Sequence, residues 1–339
     1  MTELRQLTAA RGLAAWAVVL YHLRQSIAGL PAPAETVLAK GYLAVDFFFL
    51  LSGFVIWLAW HDRVAGETLR FWQKRVARIF PLHLAMLGFA VALALLAAAR
   101  GRPDPAFPWA ELPLHLLLVQ QWGLTSELRW NDPAWSISAE LAAYLLFPLL
   151  IRATDWRRWS TPALIGMAAA ILLALHLVMG APTLGTDIPR FGLARCLAEF
   201  AVGTILAALF LRGGAGRPPL LTGLLLLAAW AAGAPETLVA PAAFAALLLA
   251  LARAELPVPG ALHWLGEISY ATYLLHFLLW KAVKLLLPTP LAPPWVVALY
   301  LLAVLVGSHL LYRYLELPAQ RWVNGLRWNV SRRQRIPVA

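Results

Sequence analysis

Residues 7–30 read LTAARGLAAWAVVLYHLRQSIAGL, an apolar run long enough to cross a bilayer yet interrupted by Arg11 and His22. A helix rises about 1.5 Å per residue, so the eleven steps between the two set the imidazole about 16 Å farther along the axis than the guanidinium. An ionisable group at the centre of a spanning helix costs at least about 2.5 kcal/mol, so it faces a cavity or a partner and marks a site. The bland alternative is an arginine that snorkels to the interface and a histidine bonded to a neighbouring helix. On the first reading one helix carries a fixed cation near one water interface and a titratable base deep within the membrane.

The rest of the composition agrees with a membrane setting. Apolar residues make up 61% of the 339 positions and charged residues only 13%, with a mean hydropathy of +0.70. A soluble domain carries about 25% charged residues, so that class is excluded. The net charge of +11 arrives in short clusters between apolar runs and forms no continuous stripe, which points to topology and not to nucleic acid. The single cysteine, Cys196, lies inside an apolar segment, excluding an internal disulfide and a cysteine metal site. The N-terminus has the outline of a signal peptide, and Ala32-Pro33-Ala34 loosely resembles a cleavage site. Because the run carries Arg11 and His22 and further spans follow, it reads as an uncleaved first span.

Windows of about 20 apolar residues give ten transmembrane helices, near 7–30, 41–60, 79–99, 135–151, 161–180, 191–211, 218–234, 236–252, 261–287 and 293–314. The fold expected is therefore an all-α, polytopic integral membrane protein. Leu112 to Trp122 is apolar but short, and reads as re-entrant or interfacial. With the N-terminus inside, seventeen Lys and Arg lie at inner ends and eight at outer ends, which supports both termini being cytoplasmic. The inner set includes Arg63, Arg70, Lys74, Arg75, Arg78, Arg152, Arg157, Arg158, Arg327, Arg332, Arg333 and Arg335. If 112–122 spanned, every later cluster would face outward. Several tryptophans, among them Trp57, Trp60, Trp156, Trp159 and Trp264, fall near span ends and read as interfacial anchors. The longest stretch between spans is about Arg100 to Asp132, so residues 1–339 are expected to form one transmembrane domain with no appended soluble domain.

Topology lets depths be compared. His22 falls in the outer half of the first span, and Asp46, in Val45-Asp46-Phe47-Phe48-Phe49, lies about five residues below the outer end of the second. A carboxylate at that depth could set the tautomer of the imidazole, as a general base needs; alternatively Asp46 bridges helices. Glu140, in Trp135-Ser136-Ile137-Ser138-Ala139-Glu140, joins the same layer with Ser136 one turn before it. In the ninth span Ser269, Tyr273 and His276 share one face, with Tyr270 beside them. Arg195 and Glu199, one turn apart in the sixth span, read as a mutually neutralising pair. Arg75 and Arg78 share a helical face at the inner end of the third span, and with Arg11 they make a cationic patch suited to phosphates. Positive-inside signalling, or contact with anionic lipid, is the bland alternative.

These stretches together resemble the membrane acyltransferase 3 family. The resemblance is carried by Arg11 to Trp16 with Tyr21-His22, by Val45 to Phe54, by Arg75-Val76-Ala77-Arg78-Ile79-Phe80-Pro81, by Trp135 to Glu140 with Tyr144 and Phe147-Pro148, and by Ile268 to His276. It covers nearly the whole chain, with five motifs in order. In that family an Arg and a His on the first span and an Arg-x-x-Arg pair after the second are essential; here these are Arg11, His22, Arg75 and Arg78. The resemblance implies transfer of an acyl group, most often acetyl, from cytoplasmic acyl-coenzyme A to a hydroxyl of a cell-envelope glycan or other glycoconjugate, in a bacterial inner membrane. Some members carry an extra extracytoplasmic hydrolase-like domain, which is not expected here.

Acetyl-CoA or another acyl-CoA is the expected donor, its phosphates on Arg11, Arg75 and Arg78 and its pantetheine arm running up to His22, which acts as general base or is itself acylated. Asp46 or Glu140 assists, and Ser136, Ser269, Tyr270, Tyr273 and His276 support the site. No Gly-rich phosphate loop and no metal constellation appears. Expected partners are the donor, a glycan acceptor and membrane lipid, with no nucleic acid; the residues set no oligomeric state. The loop from Arg100 to Asp132, with Gln120, Gln121, Trp122, Trp130 and Asn131, is the segment expected to touch the acceptor. The alternative from another class is a proton-coupled transporter or flippase with Arg11, His22, Asp46 and Glu140 as its relay, which calls for inverted repeats and broken helices that the sequence does not display.

Overall fold

A computed structural model describes residues 4–287 and 291–326. Arg327, Arg332, Arg333 and Arg335 of the topology count lie outside the described residues. Among those described the chain is helical, without strands: α1 (Arg5–Leu23), α2 (Ala32–Leu38), α3 (Ala44–Trp60), α4 (Thr68–Ala99), α5 (Leu112–Leu117), α6 (Ala134–Ala153), α7 (Thr161–Met179), α8 (Ile188–Leu211), α9 (Arg217–Ala231), α10 (Glu236–Arg253), α11 (Gly260–Glu267), α12 (Ser269–Lys284), α13 (Pro294–Leu311) and α14 (Leu317–Gly325).

Each of the ten apolar stretches contains helix, but their bounds and lengths differ from the expectation. Seven helical segments are long and apolar enough to cross a membrane: Ala32–Trp60, Thr68–Ala99, Ala134–Ala153, Thr161–Met179, Ile188–Leu211, Glu236–Arg253 and Pro294–Gly325. The other three stretches do not qualify, α1 for its lower apolarity and not its length, since its 19 residues equal those of Thr161–Met179. Helix α1 stops at Leu23, followed by a 3-10 turn over Arg24–Ser26, and the chain then runs beside Ala292, whose backbone bonds to Ser26 and Ala28. Helix α9 has 15 residues, and the stretch 261–287 divides into α11 and α12 at Ile268. Helix α4 begins eleven residues before the predicted 79, so the basic run Arg70 to Arg78 is its first turns and not a loop. Within Leu112 to Trp122 only Leu112–Leu117 is helical, six residues that cannot cross a bilayer.

Large apolar side chains stand exposed on the outward faces, as in Leu177 at 68% and Leu225 at 70%. Lipid tails are as apolar as leucine, so such helices are joined by close packing and polar bonds and not by the hydrophobic effect. The pair α3 and α8 uses both. A Cβ on Gly203 would lie 2.1 Å from the Leu50 carbonyl oxygen, and one on Gly53 would lie 2.0 Å from that of Phe200. Only glycine lets the two backbones come so near. Farther along the same contact, Asp46 takes two bonds from Arg195, at 2.6 Å from Nε and 2.5 Å from Nη2, while Glu199 stands 3.9 Å away. Arg195 also donates to the Leu184 carbonyl. The expected Arg195–Glu199 pair is thus the minor half of a buried triad whose main bond goes to Asp46.

Two outcomes follow for detergent-solubilised protein. Gly203→Ala forces α3 and α8 apart and should cost about 1–3 kcal/mol, the usual scale of overpacking, seen as a lower thermal midpoint. Arg195→Met strands two buried carboxylates without a counter-charge and should cost about 3–5 kcal/mol; combining it with Asp46→Asn should recover part of the lost midpoint.

Candidate active site

Two helices bring the sequence-predicted arginines to one end of the bundle. Arg11 is carried by α1, which lies so close to α11 that a Cβ on Gly266 would sit 1.9 Å from the Thr8 carbonyl oxygen. From there its Nε and Nη2 donate to the Gly266 carbonyl at 3.1 and 2.7 Å. Ser269 donates to the same carbonyl at 2.7 Å, so its hydroxyl fixes the start of α12. Arg75 and Arg78 come from α4. Arg75 lies over the rings of Phe71 and Tyr144, 5.8 and 5.6 Å from their centroids, and Arg78 lies 5.0 Å over the ring of Tyr270. Tyr270 donates to the Ile79 carbonyl at 2.8 Å, tying α12 to α4. Arg78 is also ion-paired with Glu316.

All three arginines line two adjoining spaces. The first is an open pocket of about 440 Å³, shared with Thr8, Lys74, Glu267, Tyr312, Gln320 and Asn324. The second is an inner cavity of about 170 Å³ whose walls include Phe48, Phe49, Leu51, Val55, Ile56 and Ile137 and whose polar groups are Ser52, Ser136, Glu140, Tyr144, Ser269, Tyr270 and Tyr273. Its hydrogen bonds have a direction. Tyr144 donates to Glu140 at 2.5 Å, so the hydroxyl of Ser52, 2.9 Å away, must donate to Tyr144. Ser136 donates to the Pro133 carbonyl at 3.1 Å, so Tyr273 donates to Ser136 across 2.7 Å. That bond closes the far end of the cavity, with Phe48 set edge-on against Tyr273.

Beyond Tyr273 stands the pair His22 and His276. The ring of His276 lies 6.1 Å from that of Tyr273, and its Nε2 lies 3.2 Å from Nδ1 of His22. A carbonyl only accepts, so the contact of His276 Nδ1 with the Thr272 carbonyl at 3.1 Å puts the proton on that nitrogen. His276 Nε2 is then an acceptor, and His22 Nδ1 carries the proton it shares between this nitrogen and the Val18 carbonyl at 3.0 Å. The lone pair of the half-buried His22 is left on Nε2, which makes no hydrogen bond among the described residues. Tyr300 donates to the His276 carbonyl at 2.9 Å, fixing the second imidazole's segment. Phe277 meets His22 edge-on.

This arrangement corrects two assignments. Asp46 does not reach His22: its carboxylate is committed to Arg195, because its azimuth on α3 faces α8 and not α1. Glu140 does not reach His22 either; it accepts from Tyr144 on the arginine side of Tyr273. The group that orients His22 is His276, a residue named from the sequence only as supporting.

The loop expected to meet an acceptor is mostly fastened inward. Gln121 donates to the Ile188 carbonyl at 2.5 Å, Trp122 to Ser138 at 2.9 Å and Asn131 to Leu274 at 3.0 Å; Gln120 and Trp130 are buried. Its acids differ. Burial pushes Asp132 up to about 6. Burial acts the same way on Asp104, but the Ala106 amide and Lys281, at 3.1 Å, bring it below the usual carboxylate range. Lys281 also lies over Phe277, 5.6 Å from the ring that touches His22. Glu316 was missed from the sequence altogether. Its signal was an acid one turn past Arg313 in an otherwise apolar run, just beyond the predicted span end.

Residues 4–313 match the acyltransferase domain that defines the acyltransferase 3 family. The chain is 34% identical over 364 aligned positions to acyltransferase MdmB of Streptomyces mycarofaciens, covering 95% of this chain and 92% of that protein. It is 27% identical to the exopolysaccharide production protein ExoZ of Rhizobium meliloti, over 70% of this chain and 75% of that one. Against the peptidoglycan O-acetyltransferase OatA of Listeria monocytogenes it is 24% identical over 92% of this chain, which spans 55% of that longer protein. No solved structure matches. With the family's domain covering nearly the whole helical bundle and a full-length relative at a third identity, the chain belongs to the acyltransferase 3 family of multi-pass membrane proteins.

Proposed function

We propose that the protein moves an acyl group, acetyl by preference, from cytoplasmic acyl-coenzyme A to a hydroxyl of a cell-envelope polysaccharide or similar glycoconjugate, with His22 as general base. The acceptor class draws on the relatives named for exopolysaccharide production and peptidoglycan O-acetylation; the rest draws on the site. The donor's phosphates lie at the arginine end, on Arg75 above all, and its narrow pantetheine arm follows the apolar cavity toward Tyr273. The acceptor arrives on the other side, where His22 stands. His22 Nε2 takes the hydroxyl proton as the oxygen forms a bond to the thioester carbonyl carbon. The carbon–sulfur bond then breaks, the sulfur leaves as coenzyme A thiolate, and the proton passes from the imidazole to it. His276 positions the base by holding the proton on His22 Nδ1, and so keeps Nε2 bare.

The observation that carries this reading is the histidine pair in line with the arginine-lined spaces: a neutral imidazole with a defined tautomer and a bare nitrogen suits proton abstraction, and the cationic end suits a polyanionic donor. Tyr273, which separates the cavity from the histidines, is then the side chain that must turn aside for the thioester to reach His22.

Two substitutions test it, read by free thiol release from acetyl-coenzyme A in lipid with a glycan extract as acceptor. His22→Ala should lower turnover by about 10² to 10⁴, the usual contribution of a general base, with coenzyme affinity unchanged. Arg75→Ala should weaken coenzyme A binding more than about tenfold, one charge-assisted contact, and an unaltered affinity would remove Arg75 from the donor site.

A further inference from the structure

One wall of the open pocket comes from a part of the chain that the chemistry above does not use. After α13 the backbone makes a π-turn over Tyr312–Glu316 and continues as α14, and Tyr312, Leu317, Gln320 and Asn324 face Lys74, Arg75 and Arg78 across the space. Wide turns of this kind are rare and gather at functional sites. This one turns Glu316 inward until 1% of it is exposed. Its Oε1 accepts from Arg78 and, at 3.2 Å, from Gln320. Its Oε2 is buried with no hydrogen-bond partner among the described residues, and the Nε of Arg75, one turn before Arg78, is in the same condition. A half-satisfied carboxylate on Arg78 and an orphaned cationic donor one helical turn away on Arg75 are each costly. An oxyanion bound between Arg75 and Arg78 would satisfy the donor and free the carboxylate.

Helix α14 is held so that this can happen. None of its side chains is fully buried. Its far end hangs on Gln73, whose Nε2 donates to the carbonyls of Val323 and Leu326 at 2.7 Å each, and its near end on the Arg78–Glu316 pair. An element with so little buried surface opens at low cost. The pocket itself carries four cations, Arg11, Lys74, Arg75 and Arg78, against the one lining acid Glu267, so it remains attractive to an anion when Glu316 withdraws.

We propose that Glu316 is a built-in competitor for the anionic end of the donor. Its carboxylate occupies Arg78 in the structure described, a phosphate of the adenosine 3′,5′-diphosphate portion of coenzyme A replaces it, and the π-turn with α14 loosens from α4 as the donor seats. The exchange of one charge-assisted bond for another lowers affinity while keeping Arg78 in place between turnovers. This rests on the coenzyme A reading of the preceding subsection.

Coenzyme A binding to the detergent-solubilised full chain, followed by calorimetry, tests it. Glu316→Gln should bind about tenfold more tightly than the unaltered protein, since one charge-assisted contact no longer opposes the ligand; equal or weaker binding overturns the competitor role and makes Glu316 a strut for Arg78. Hydrogen exchange on the unaltered protein needs no substitution: saturating coenzyme A should speed exchange of the backbone amides of Leu317–Gly325, and slower or unchanged exchange overturns the proposal. If neither the folded unaltered protein nor Glu316→Gln binds coenzyme A, the donor assignment itself falls and the competitor with it, an outcome distinct from binding that Glu316→Gln fails to tighten.

Discussion

The bond between Asp46 and Arg195 is made where neither charge can reach water, and the architecture depends on it. Two unit charges in an apolar interior are costly to bring there and costlier still to separate. Once paired they fix the rotation of α3 against α8 as well as their separation, and the glycines at 53 and 203 let the rest of the two helices close on each other. Because α3 contributes Phe48, Phe49, Ser52 and Val55 to the cavity wall, the face it turns to the site is set by the face it turns to Arg195. The charge inside this protein that looks most like chemistry serves as a rotational lock.

That distinction explains what was legible in the sequence. Length and apolarity located the helical parts of the chain, seven of them long and apolar enough to cross a membrane, and basic clusters together with a helical repeat brought Arg11, Arg75 and Arg78 to one end. Depth was legible too, since it follows from a rise per residue. Azimuth was not. Asp46 shares a layer with His22, but the direction in which a side chain leaves a nearly uniformly apolar helix cannot be read from a pattern whose polar face consists of one residue. His276 was visible as a polar residue on a shared face with Ser269 and Tyr273; its bond to His22 needed the packing of α12 on α1. Glu316 was overlooked for a further reason, because a π-turn leaves no signature in the spacing of apolar residues and carried it from a span end to the arginines.

The polar groups of the site form two sets and not one network. On the arginine side the hydroxyls of Ser52 and Tyr144 run in sequence to Glu140, a directed chain that ends on a carboxylate facing cations. On the other side two imidazoles share one proton between ring nitrogens and are stabilised by backbone carbonyls alone. The first set suits holding a charged molecule in place. The second suits accepting a proton and returning it.

Tyr273, hydrogen-bonded to Ser136 and backed by Phe48, lies between these two sets. Any membrane protein with polar groups approaching from both faces endangers the electrochemical gradient, because a continuous file of water would short-circuit it. A phenol ring packed on Phe48, with its one hydroxyl already spent on a serine, has no proton left to offer such a file. On the proposed reaction path, the ring that a thioester must pass is also the one that stands against a file of water between the two sets.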